Sequence, residues 1–330
     1  MQARDGDVAL GRAGIRVSRL GLGTAPLGGM FRALDDEQAH AVVRHALDRG
    51  LTYLDTAPQY GHGTSERRLG AALAGVPRSS YVISTKVGRL VTAARPGSTG
   101  SPGIFADAPP SAMTFDFSPD GVRRSLEHSL DRLGLDRVDI VYLHDPDQPP
   151  HTETALRQAY PVLHELRAQG LVTAIGVGMN QAAVPLRFVR ETDLDAVLLA
   201  GRWSLLDRSG AELLAECRRR NVSVVIGGVF NSGLLADPEP RDGSPLTFDY
   251  APAPPRLVRL ARQLATVCAE HGTTLPAAAL QFPLRHPAVT SVLTGTRSVA
   301  ELDANLTALA DPVPEELWPA VDAVLAHQHV

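Results

Sequence analysis

Lysine is almost missing from this 330-residue chain: of its 32 basic residues only Lys86 is a lysine, and the rest are arginine. Positive charge is also unconcentrated, because the formal net charge is −4 and no lysine- or arginine-rich block stands out. Affinity for a phosphate backbone needs clustered cations, so nucleic acid is not an expected partner. Cysteine is limited to Cys217 and Cys268. Each lies singly in a helical pattern, without the paired spacing of a zinc site or a thiol redox motif, and both are read as helix packing. Long apolar runs are lacking too, since no stretch reaches the roughly 18 residues a membrane helix requires. The N-terminal Met1-Gln2-Ala3-Arg4-Asp5-Gly6-Asp7 has no apolar signal core, so the expectation is a cytoplasmic chain with no membrane partner. No linker or composition break divides the sequence, which reads as a single domain over residues 1–330.

What is present is repetition. Val8-Ala9-Leu10 and Ile15-Arg16-Val17, joined by the glycine-bearing Gly11-Arg12-Ala13-Gly14, read as an opening β-hairpin. Leu20 to Gly23 then forms a short buried strand, Asp35 N-caps a helix with apolar Ala39, Val42, Val43, Ala46 and Leu47 at 3.6-residue spacing, and Gly50 closes it. The unit recurs. Strands are expected at Leu51–Asp55, Tyr81–Lys86, Val138–His144, Thr173–Val177, Ala196–Ala200, Val222–Ile226 and Thr290–Thr294. Helices are expected near 64–73, 119–133, 152–169, 181–190, 209–220, 255–271 and 298–309. Counted from Leu20, the pattern gives an α/β chain of eight strand–helix units with nearly continuous apolar strands, the arithmetic of a (β/α)8 TIM barrel. A doubly wound open sheet fits less well, because Gly21-Leu22-Gly23-Thr24-Ala25-Pro26 lacks the third glycine of a dinucleotide fingerprint and places proline where its helix would start.

Two long loops, Gly88 to Ser118 after the third strand and Asn231 to Pro254 after the seventh, fall on the C-terminal face, where barrel enzymes carry their sites. Their Phe105, Phe115, Phe117, Phe248 and Tyr250 either pin the loops to the barrel or wall a substrate pocket. Polar residues gather at the same face. Asp55 ends the second strand with Tyr60 just beyond it, Lys86 ends the third and His144 the fourth. Each also has a purely structural reading: aspartate caps turns, loop tyrosines pack, and a strand-end histidine is often a hydrogen-bonded core residue. Lys86 is the hardest to explain that way, since an ammonium ending an apolar strand needs a partner and arginine cannot replace it where a compact charge must approach a second group closely. Together the four suit proton transfer coupled to carbonyl reduction or alcohol oxidation, with the ammonium expected to lower the phenol's pKa from about 10. The set contains no strong nucleophile and no metal-ligand cluster.

These residues resemble the aldo-keto reductase family. The matching segments are Asp55-Thr56-Ala57-Pro58-Gln59-Tyr60-Gly61, Ser84-Thr85-Lys86, Leu130-Asp131-Arg132-Leu133-Gly134-Leu135 before Val138-Asp139-Ile140, His144, Ile175-Gly176-Val177-Gly178-Met179-Asn180, and Gly295-Thr296-Arg297-Ser298 with Asn305. The resemblance implies a nicotinamide cofactor held extended without a Rossmann domain, and a catalytic tetrad of Asp55, Tyr60, Lys86 and His144 in which Tyr60 is the general acid or base. It assigns cofactor contacts to Gly23, Thr24, Asp55, Asn180, Gly295, Thr296, Arg297, Glu301 and Asn305. The Phe115-Asp116-Phe117-Ser118 loop end, Gly178-Met179-Asn180 and His144-Asp145-Pro146-Asp147 look like the branch containing L-fucose, D-threo-aldose and pyridoxal 4-dehydrogenases. A small carbonyl or alcohol substrate follows from that likeness.

The chain departs from the family at several points. Met179 stands where many members have serine, Ala200 replaces the strand-six glutamine, and Gly227 replaces the strand-seven aromatic that stacks on nicotinamide, leaving Trp203 or Phe230 as substitute faces. Glu301 stands where NADP-dependent members often carry arginine, which favours NAD, whereas Arg297 could pair with the additional phosphate of NADP. Two further readings stay open: a cofactor-binding regulatory subunit of the channel β-subunit kind, which the complete tetrad disfavours, and an isomerase using Gly295-Thr296-Arg297-Ser298 as a phosphate site.

Overall fold

Eight parallel strands close into a barrel in chain order: Leu20–Gly23, Tyr53–Asp55, Val82–Val87, Ile140–His144, Ala174–Met179, Ala196–Ala200, Ser223–Gly227 and Val289–Gly295. The computed structural model describes residues 6–93, 103–106, 108–240 and 246–326. The first five residues of the N-terminal segment read above, and parts of both long loops, therefore lie outside the described residues. The (β/α)8 expectation holds, and strand boundaries fall within two residues of those read from the apolar runs.

Helix ends follow local chemistry. Asp35 accepts from the Gln38 amide at 2.7 Å and starts Asp36–Asp48, Ser118 accepts from the Gly121 amide at 3.1 Å and starts Pro119–Leu133, and Ser298 does the same for Glu301 at 3.1 Å. Gly50, with φ +87°, reverses the chain after the first helix. The helix expected at 152–169 runs from His151 to Ala168 but widens into a π turn at Ala155–Ala159. Pro161 offers no amide to the preceding turn, and the wider turn absorbs that missing bond. Two helices escape the sequence reading, Leu275–Gln281 and Leu317–Ala326. No helix among the described residues is long and apolar enough to cross a membrane.

The opening hairpin, Val8–Leu10 against Ile15–Val17, seals the barrel floor. Its Leu10, Ile15 and Val17 pack with the inward residues Tyr53, Val82, Ile140, Tyr142, Leu198 and Val225. Gly11 in its turn lies so close to the barrel that a Cβ would come within 2.4 Å of the Asp195 carbonyl oxygen. Both cysteines are fully buried helix residues, as their pattern suggested.

The long loops carry structure of their own. The first contains a hairpin, Arg89–Ala93 against Ser111–Phe115, and a segment that crosses the barrel mouth, where Phe31 donates to the Ile104 carbonyl at 2.7 Å and Ala106 to Gly29 at 2.9 Å. The second contains a short hairpin, Thr247–Phe248 against Ala251–Pro252. Their aromatics divide between both expected roles. Phe117 is buried and Phe248 packs on the C-terminal helices, whereas Phe105 and Tyr250 line the groove above the barrel.

Candidate active site

Alternation along the strands puts the polar groups together. Residues two apart on a strand share a face, so Tyr53 with Asp55, Ser84 with Lys86, and Tyr142 with His144 all project into the barrel, each pair placing its second member nearer the C-terminal mouth. Thr85, between Ser84 and Lys86, points the other way and donates to the buried carboxylate of Glu66 at 2.8 Å.

Lys86 is 2% exposed and spends its ammonium on three acceptors: Asp55 Oδ2 at 2.7 Å, the Thr56 carbonyl at 2.9 Å and Tyr60 Oη at 3.0 Å. An ammonium has three protons and no lone pair, so its bonding is complete. The same count fixes Tyr60. Its oxygen accepts from Lys86, and its own proton is therefore the one it can give to a ligand. Ser84 donates to the other Asp55 oxygen at 2.7 Å, and a hydroxyl contact of 3.1 Å joins Tyr53 to Tyr142 below. Ser84, Tyr53 and Tyr142 were not singled out as functional residues in the sequence; the two-residue periodicity ending at Asp55, Lys86 and His144 is the signal that finds them.

Two glycines set the position of Tyr60. A Cβ on Gly28 would lie 2.6 Å from the Gly61 nitrogen and from the Tyr60 carbonyl carbon, and one on Gly61, where φ is +61°, would lie 2.4 Å from the Gly28 oxygen. The loops after the first and second strands meet backbone to backbone at this pair. Thr24 belongs to the same support. Its hydroxyl donates to the Asp55 carbonyl at 2.9 Å and accepts from Ser65 at 2.7 Å, and the residue is fully buried.

Burial shapes the acid–base behaviour. Tyr60 is pushed up to about 12 by burial, with the Lys86 ammonium pulling it down and the Asp55 carboxylate pushing it up. The sequence expectation was right about the direction of the ammonium's effect, but burial outweighs it. Burial alone would lower Lys86, yet the Asp55 carboxylate and the Tyr60 oxygen hold it above its ordinary value. His144 falls well below the ordinary imidazole value, through burial and then the Arg89 and Lys86 cations. At neutral pH Lys86 is thus charged, Tyr60 protonated and His144 neutral, and the His144 ring meets the Tyr60 ring edge-on at 6.1 Å.

The tetrad opens into a groove of about 920 Å³. Gly23, Asn180, Gly295, Arg297, Glu301 and Asn305 line it with Asp55, Tyr60, Lys86 and His144. Thr296 is not on the wall; it is 1% exposed and its hydroxyl has no partner among the described residues. Of the candidate aromatic faces, Phe230 lines the groove, whereas Trp203 packs away from it against Phe282 and His286 at 5.4 and 5.6 Å. At Gly178 and Gly227 a Cβ would meet its nearest neighbours at 3.6 and 3.7 Å, so the glycines leave a recess in the groove floor. A cavity of this volume, with polar side chains among its lining residues, has room for a dinucleotide.

The chain matches the Aldo/keto reductase family over residues 19–326. It belongs to that family. It is 42% identical to a D-threo-aldose 1-dehydrogenase from a Pseudomonas species and 41% identical to a pyridoxal 4-dehydrogenase from Microbacterium luteolum, with 94% of each chain covered in both cases. An aldo-keto reductase from Bacillus halodurans solved in its holo form superposes with a TM-score of 0.75 at 25% identity, covering 96% of this chain and 95% of that one. A glycerol dehydrogenase from Gluconobacter oxydans shares the fold, with a TM-score of 0.78 at 23% identity, 98% of this chain and 96% of that one. This family member is an NAD(P)-dependent oxidoreductase.

Two outcomes follow from the geometry. Gly28→Ala should shift the Tyr60 loop and lower kcat on the order of 100-fold while the far-ultraviolet circular dichroism spectrum is retained, and a variant with wild-type kcat would show that the glycine contact does not position Tyr60. Because Tyr60 keeps its proton below its raised pKa and His144 stays neutral above its lowered one, kcat/KM for reduction should be level from about pH 7 to about pH 9. An inflection inside that window that disappears in a His144 or Tyr60 variant would contradict these assignments.

Proposed function

We propose that this enzyme interconverts a carbonyl with an alcohol or hemiacetal on a small polar substrate of the sugar or pyridoxal kind, with Tyr60 exchanging the proton. The observation that carries this reading is the saturated Lys86 ammonium, which leaves Tyr60 with a proton directed away from Lys86. In reduction Tyr60 gives that proton to the carbonyl oxygen, and in oxidation it takes one back. His144, neutral at working pH, orients the oxygen, and Asp55 holds Lys86 in its charged form. When bound, the nicotinamide supplies or accepts the hydride. The aldose and pyridoxal dehydrogenases among its relatives support the substrate class.

In this reading Asn180 would hold the nicotinamide end of the cofactor, and Arg297, Glu301 and Asn305, which line the same groove, the adenosine end. The reading leans to NAD. Glu301 accepts from the Arg297 amide at 2.7 Å and places its other oxygen 3.9 Å from the Arg297 guanidinium. A carboxylate fixed there accepts from a ribose hydroxyl and repels a phosphate on the same oxygen, while drawing on the charge of the one arginine that would pair with that phosphate. Titration should show NAD binding more tightly than NADP, with Glu301→Gln narrowing the difference; tighter NADP binding would reverse the assignment.

The activity test is a panel of aldoses, pyridoxal and simple aldehydes, followed through nicotinamide absorbance in both directions. Tyr60→Phe should abolish turnover, and Lys86→Arg should retain the charge but lose most activity, because a planar guanidinium cannot converge on three acceptors as an ammonium does. Near-normal turnover in either variant would remove that residue from its role. Tight cofactor binding without turnover on any carbonyl would favour the regulatory-subunit alternative.

A further inference from the structure

The tetrad accounts for one substrate oxygen, the one that shares a proton with Tyr60. A second polar wall stands beside it that the tetrad does not use. Asp145, directly after His144, lines the groove, and so does Tyr250 from the loop after the seventh strand.

Both residues are held in left-handed backbone. Asp145 has φ +48°, and Asp249 and Tyr250 have φ +47° and +64° at the tip of the short hairpin. Aspartate tolerates that region, but a bulky aromatic rarely enters it and persists there only when its surroundings insist. Here they do. Arg202 grips Asp249 through bonds of 3.1 and 2.9 Å, Ser232 Oγ accepts from the Tyr250 amide at 3.0 Å, and the Tyr250 ring meets Phe31 at 6.3 Å. The tip holds Tyr250 over the groove while leaving it 47% exposed, where a side chain serving only to pack would be covered.

Asp145 is anchored from the other side. Its Oδ2 lies 2.5 Å from the Arg89 guanidinium and 3.5 Å from His144 Nε2. Its Oδ1 makes no hydrogen bond among the described residues, and the side chain is partly accessible. A carboxylate accepts and does not donate, whereas a phenol does both, so the two together suit a ligand hydroxyl.

We propose that Asp145 and Tyr250 form a hydroxyl-recognising wall, so that the substrate carries a hydroxyl on the carbon next to the reacting one. This rests on the oxidoreductase reading above and narrows its substrate class to α-hydroxy carbonyls and the corresponding aldose hemiacetals. The spacing supports adjacency. His144 and Asp145 are consecutive residues whose side chains come within 3.5 Å of each other, Nε2 to Oδ2, so the ligand oxygens they hold lie side by side, as oxygens on neighbouring carbons do. The rings of Phe31, Phe105 and Tyr250 offer apolar faces to the carbon skeleton of such a molecule.

Two matched substrate pairs test the proposal: 2-hydroxypropanal against propanal, and an aldopentose against its 2-deoxy counterpart. The wild-type enzyme should favour the hydroxylated member at least tenfold in kcat/KM. Asp145→Asn, which keeps the left-handed backbone and the side-chain shape, should cut that ratio at least tenfold, mainly through KM, and Tyr250→Phe should cut it severalfold. If Asp145→Asn lowers both members of each pair equally, Asp145 only anchors Arg89 and the loop hairpin, and the proposal fails. It fails equally if the wild-type enzyme shows no preference in either pair while turning over members of the broader carbonyl panel. Turnover of nothing in that panel would instead overturn the oxidoreductase reading, and this one with it.

Discussion

One buried ammonium sets the conditions for everything at the mouth of this barrel. A charge taken out of water costs several kcal/mol unless partners replace its hydration, and Lys86 is 2% exposed. The protein meets that cost with Asp55, the Thr56 carbonyl and the Tyr60 hydroxyl. Each of these is itself constrained. Ser84 occupies the second Asp55 oxygen, and the Gly28–Gly61 contact fixes the loop that carries Tyr60. The requirement to satisfy three converging donors thereby determines where the phenol stands and which way its proton faces. A sequence that uses arginine for every other cation keeps lysine at the one position where a point charge is needed.

The same charge acts at a distance on His144. Lys86 and Arg89, added to burial, keep the imidazole neutral, and its hydrogen-bonding environment then selects a tautomer. Nδ1 is buried without a partner among the described residues, whereas Nε2 lies 3.5 Å from an Asp145 oxygen. A proton on Nδ1 would be a buried donor with no acceptor, which is the costlier arrangement, so the proton belongs on Nε2. His144 is therefore a donor toward the groove, and a second cation beside Tyr60 is avoided. Burial, reinforced by the two cations, leaves a neutral donor at His144, and burial against the pull of Lys86 leaves a protonated phenol at Tyr60.

Much of this was legible because it is local. The barrel follows from apolar runs and caps such as Asp35, Ser118 and Ser298, and the tetrad follows from polar residues at the ends of three successive strands. What was not legible depends on which distant segments meet. Nothing near Gly28 in sequence points to Gly61, and nothing near Tyr250 points to Ser232, Arg202 or Phe31. The buried bonds of Thr24 to Asp55 and Ser65 were not legible either, because a residue at a strand end can face its neighbouring strand as easily as the groove. The pKa of Tyr60 misled for a related reason: the identity of the Lys86 cation beside it can be read from the strand pattern, but the degree of burial, which here is the larger effect, depends on loops the pattern does not fold.

The loop after the first strand is where these distant contacts converge. Gly28 meets Gly61 beside Tyr60, Gly29 and Phe31 bond the segment that follows the third strand, and the Phe31 ring meets Tyr250 from the loop after the seventh. Arg68, 9% exposed, fixes the same loop through the Leu27 and Leu34 carbonyls and through Asp36. The reacting residue and the aromatic wall above it are therefore referenced to one segment instead of floating independently. The strained Asp249-Tyr250 tip is held by Arg202 and Ser232, and its contact with Phe31 ties it to the loop that positions Tyr60. Strand order brings the chemistry to the barrel mouth, and this shared loop keeps the substrate wall in register with it.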